Sequence, residues 1–116
     1  YKNGGSNMFT LNKGINYITM KRYMENLKEK IDICDADITD YNTVELENVI
    51  KDIMANIGIG SIAVTDKYVM VEGRKRIYAI NSFIDGEIKF SNKYYTELSK
   101  EKLDNFNNYE LEIFVG

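Results

Sequence analysis

Apolar residues along the chain recur at helical spacing in some segments and alternate in others. From Thr19 to Ile31, Met20, Tyr23, Met24, Leu27 and Ile31 fall on one side of a predicted helix, with Lys and Glu opposite. A second helix is predicted over Val44 to Ile57, its buried stripe formed by Val49, Ile50, Ile53, Met54 and Ile57. Asn42-Thr43 supplies its cap, Glu45 is placed to bond back to the capping residue, and Gly58 supplies the stop. Arg74 to Ile84 reads as a third helix burying Ile77, Ile80, Phe83 and Ile84, and Ser99 caps a fourth that runs to about Phe106.

Between the helices the pattern changes to strand. Phe9 to Ile18 reads as a short extended segment ending near Asn16. Ser61 to Thr65 and Tyr68 to Val71 flank Asp66-Lys67 as a hairpin, Glu87 to Phe90 is short and strand-like, and Leu111 to Val115 alternates as a closing strand. Strands and helices mix without a strict βαβ rhythm, which predicts an α+β fold, a small mixed sheet with packed helices. Residues 1–8 read as a flexible lead-in or as residues ahead of a natural start at Met8, and 9–116 as one domain.

Composition narrows the chemistry. The chain has 116 residues, a formal net charge of −3, one cysteine and no histidine. The net negative charge argues against a broad nucleic-acid-coating surface, leaving room only for a local basic patch. The lack of histidine removes imidazole bases, His-dependent triads and His-metal nuclease sites. Cys34 alone cannot form an internal disulfide and fits a reducing cytoplasm, and no apolar run reaches membrane-spanning length. Asp35, Asp37 and Asp40 invite a metal reading, but the central glycine and distal glutamate of a calcium loop are missing, so a solvated turn is expected and no metal site is assigned.

The element that carries chemistry is Val71-Glu72-Gly73-Arg74-Lys75-Arg76, a strand that ends in glycine and turns directly into a helix. A helix's first turn has unpaired N–H groups and a partial positive charge, so it attracts anions. Gly73 permits close backbone approach, and Arg74, Lys75 and Arg76 add cations, two of them able to hold phosphate oxygens bidentately. Positive charge at a helix N-terminus is unfavourable by itself, and a bound anion would compensate it.

From Asp37 onward the pattern resembles the ParB/sulfiredoxin-like superfamily, in which a "G-x-x-x-P-I-x-V" strand leads to a second strand and a "G-E-R-R" or "D-G-Q-Q-R" turn. Here the counterparts are Gly58-Ile59-Gly60-Ser61-Ile62-Ala63-Val64 and Glu72-Gly73-Arg74-Lys75-Arg76. The downstream stretches Phe83 to Phe90, Tyr95 to Ser99 and Phe106 to Ile113 are similar to the GmrS-type branch. That branch is known from the NTP-dependent part of modification-dependent restriction enzymes and related bacterial phage-defence proteins. The resemblance implies a nucleotide- or nucleic-acid-phosphate-binding domain, with NTP and Mg²⁺ as cofactors. It assigns Glu72 the catalytic position, where the family has Asp, and Gly73, Arg74, Lys75 and Arg76 the phosphate-binding ones.

The Glu at the Asp position and the two cations at the Gln pair favour binding over hydrolysis. A different reading keeps the scaffold but makes the chain a non-catalytic interaction protein, a phage or mobile-element modulator that binds a protein partner of a defence system. Direct DNA binding through Lys21-Arg22 and Arg74 to Arg76 is a third reading, set back by the acidic remainder.

Overall fold

The computed structural model describes residues 9–33 and 41–116. Cys34, the acidic run from Asp35 to Asp40 and the lead-in therefore lie outside the described residues. The architecture is α+β: one four-stranded mixed sheet, in the order β1-β4-β2-β3, with helices packed against it. β1 is Gly14–Thr19, β2 Ile62–Val64, β3 Met70–Glu72 and β4 Glu110–Val115. The closing strand β4 is central, antiparallel to β1 from Gly14↔Val115 to Thr19↔Glu110 and parallel to β2 through Ile62↔Ile113. β2 and β3 form the expected hairpin, with Asp66-Lys67 in its turn.

Alternation along each strand sends one set of side chains to a common core. Ile18, Leu111, Ile113, Val115, Ile62, Val64 and Met70 are buried there, while Ile15, Tyr17 and Phe114 stay exposed on the other face. The core is completed by α1 (Met20–Arg22) and the π-helical stretch Tyr23–Leu27 that continues it, by α2 (Thr43–Met54), α3 (Arg74–Ile84) and α4 (Lys100–Asn107). Phe83, Tyr95 and Phe106 meet edge-to-face at centroid separations of 5.3 to 5.8 Å, joining α3 to α4. Among the described residues no helix is long and apolar enough to cross a membrane.

Several local expectations change, beginning with the first extended segment, which pairs as a strand to Thr19 rather than ending near Asn16. The first predicted helix is not uniform: the Lys28 amide reaches the Tyr23 carbonyl at 2.9 Å, a π-type bond, and a turn follows. Of the predicted stripe, Met20, Tyr23, Leu27 and Ile31 are buried and Met24 is half-buried. The second helix ends before Gly58. Asn56 takes φ 57°, the Asn56 amide bonds the Ile53 carbonyl and the Ile57 amide the Asp52 carbonyl, a Schellman cap built on asparagine. Ile57 thus falls outside the helix and is 52% exposed rather than part of its stripe. Glu87 to Phe90 adds no strand to the sheet; Phe90 and Lys93 instead bond each other across Ser91 and Asn92, both at positive φ.

Candidate functional site

β3 runs directly into α3 through Gly73, whose φ of 96° and ψ of 19° are accessible to glycine at little cost. A Cβ there would lie 3.1 Å from Ile62 Cγ1 and 3.3 Å from an Arg76 guanidinium nitrogen. The glycine is therefore required by backbone conformation and by its packing against β2. Within α3 the first backbone bond is donated by Ile77 to the Gly73 carbonyl at 3.0 Å. Helix geometry accordingly gives the Lys75 and Arg76 amides no carbonyl one turn back within α3.

The three cations of this turn do different things. Arg76 is half-buried and faces the loop ahead of β2, where its Nη1 donates to the Ile59 carbonyl at 2.7 Å and to the Ser61 carbonyl at 3.0 Å. A Cβ on Gly60 would stand 2.8 Å from that nitrogen, so the loop glycine makes room for the guanidinium. Lys75 reaches across to α2 and pairs with Glu45 at 3.3 Å, both side chains over 40% exposed. Arg74 is half-buried at the start of the helix.

Lys75 and Arg76 line a cleft of about 440 Å³ together with Glu45, Asn48 and Asp52 of α2 and Gly58-Ile59 of the loop. Two carboxylates thus face two cations, a nearly neutral hollow in an acidic chain. Glu72 stands apart from it. It is exposed at the end of β3 and registers with Ala63, which itself registers with Phe114, placing its side chain on the sheet's outer face. Among the described residues no three Cys, Asp or Glu side chains are grouped to hold a metal ion. Glu45 and Asp52 are the carboxylates of the cleft, about two helical turns apart on α2, with Glu45 paired to Lys75.

Sequence reasoning assigned Glu45 to helix capping. Asn42 does cap, its side chain accepting from the Glu45 amide at 2.8 Å, but the Glu45 carboxylate turns to Lys75. Glu45, Asn48 and Asp52 sit at i, i+3 and i+7, one polar stripe of α2, and that spacing was the available signal for the far wall of the cleft. Comparison with family models, with curated proteins and with solved structures returns no match for this chain.

Proposed function

We propose that the chain is a ParB-like, GmrS-type domain that binds the phosphates of a nucleotide or nucleic acid in the cleft between α2 and the start of α3. The supporting observation is the convergence there of Lys75, the first turn of α3 and the glycine loop braced by Arg76. Lys75, with the backbone amides of Lys75 and Arg76, holds the phosphate, and the Arg76 side chain holds the loop in place. The Lys75–Glu45 pair is of the solvent-exposed kind, contributing about 0–1 kcal/mol, so exchanging Glu45 for a phosphate costs little. The separation of Glu72 from the cleft favours binding over hydrolysis.

Thermal shift with ATP, CTP, GTP and UTP, with and without Mg²⁺, tests this reading. A nucleotide held at 100-fold its dissociation constant is expected to add about 2.7 kcal/mol of stability to the wild type and much less to Lys75→Ala. Stabilisation by none of them, or equal stabilisation of the variant, would falsify it. Mg²⁺-dependent turnover that disappears in Glu72→Gln would make the domain an enzyme. The second reading, a non-catalytic module binding a protein of a defence system, draws on the exposed sheet face with Ile15 and Phe114. It is favoured by a stoichiometric protein complex that Ile15→Glu abolishes, together with no nucleotide shift.

A further inference from the structure

On the other side of the glycine loop from Lys75 is a second groove of about 200 Å³, walled by Tyr17, Tyr109, Glu110 and Glu112. The two hollows share Gly58 and Ile59, and a Cβ on Gly58 would meet nothing within 4 Å. Tyr17 on β1 and Glu112 on β4 are register partners on the outer face, which sets ring and carboxylate side by side. Tyr17 is 63% exposed, an aromatic face with nothing stacked on it among the described residues. Glu112 is oriented by the loop: one of its oxygens accepts from the Ser61 hydroxyl, and the Ser61 carbonyl accepts from Arg76. Its second oxygen meets no donor among the described residues. Arg76 thus holds Ile59, which lines both hollows, and Ser61, which bonds Glu112.

The geometry points to a base-binding groove, and to guanine as its occupant. Resting on the phosphate reading above, this places the phosphates of one guanine nucleotide at Lys75 and its base across the loop, against the Tyr17 ring with its donor edge toward Glu112. A carboxylate only accepts hydrogen bonds, so it selects an edge made of donors. Guanine offers N1–H and the 2-amino group side by side. Adenine and cytosine set a ring acceptor beside their amino group, and uracil flanks its N–H with two carbonyls, each of which would face the carboxylate lone pairs.

Isothermal titration of the intact chain in Mg²⁺, with inorganic triphosphate, GTP, ITP and UTP, separates the base from the phosphates. GTP is expected to bind roughly ten- to a hundredfold tighter than UTP, and ITP, which lacks the 2-amino group, to lose about tenfold. Glu112→Gln should bring GTP close to UTP, and Tyr17→Ala should weaken GTP about tenfold, both leaving triphosphate affinity unchanged. Triphosphate binding with no preference for GTP, or a preference that survives Glu112→Gln, overturns the base groove while sparing the phosphate cleft. Failure of triphosphate and every nucleotide to bind overturns both.

Discussion

Replacing Gly73 by alanine tests whether the strand-to-helix turn is as constrained as its geometry implies. The backbone there has φ 96°, where a Cβ costs roughly 1–2 kcal/mol. The added methyl would also press on Ile62 Cγ1 at 3.1 Å and Ile62 Cα at 3.4 Å. Ile62 is fully buried in β2, and crowding of a packed core costs about 1–3 kcal/mol. Alanine returns about 0.4–1 kcal/mol by restricting the unfolded chain. The net expectation is a loss of about 2–3 kcal/mol, or roughly 10 °C in Tm for a domain of this size. Gly86 supplies the control, because its φ is 81° but a Cβ would meet nothing within 4 Å. Gly86→Ala should therefore show only the backbone part, about 0.5–1 kcal/mol. Urea unfolding of the three proteins, followed by circular dichroism, measures the difference. Equal losses in the two variants would refute the packing argument, and a Gly73→Ala protein as stable as wild type would refute the strain argument as well.

Four further outcomes are expected. Burial pushes the Tyr23 hydroxyl well above its ordinary value, against a hydrogen bond to Asn81 at 2.6 Å that acts the other way. A raised folded-state value means the unfolded chain ionises first, so this stability is complete below pH 10 and declines as pH rises from there; Tyr23→Phe should flatten that alkaline loss in urea titrations, with burial of Tyr95 and Tyr109 leaving a smaller residue. Phe106→Ala should cost about 3–5 kcal/mol by opening a cavity beside Phe83 and Tyr95, read from the urea midpoint. Arg76→Ala should speed amide exchange in residues 58–61 and cost about 1.5–3 kcal/mol, since two charge-assisted bonds to that loop vanish. Asn56→Gly should raise stability by up to about 1 kcal/mol, because glycine takes the left-handed capping position of α2 without strain.

Local rules carried much of the fold. The third helix spans Arg74 to Ile84 as its apolar spacing and the preceding glycine required, and Ser99 caps α4 by accepting from the Lys102 amide. Both features depend on neighbours within a turn, which the order of residues specifies directly. Helix stops were less legible: Gly58 looked like the end of α2, yet Asn56 made the cap, because either residue can adopt the left-handed conformation and the sequence does not rank them. Glu87 to Phe90 has a strand's composition but no strand beside it, and pairing is a property of the sheet rather than of the segment.

The sequence by itself determined the α+β class, the three cations at the start of α3 and the glycine that delivers them, because each follows from residue type and short-range spacing. Only the tertiary structure decided what those cations face. Packing α2 against α3 gave Lys75 to Glu45, and placing the closing strand beside β2 brought Glu112 to Ser61 and the loop that Arg76 holds. Each of these contacts joins residues 15 or more apart in the chain, and Glu112 comes from the last strand. Side chains of identical charge thus acquire different roles from neighbours that no local pattern names.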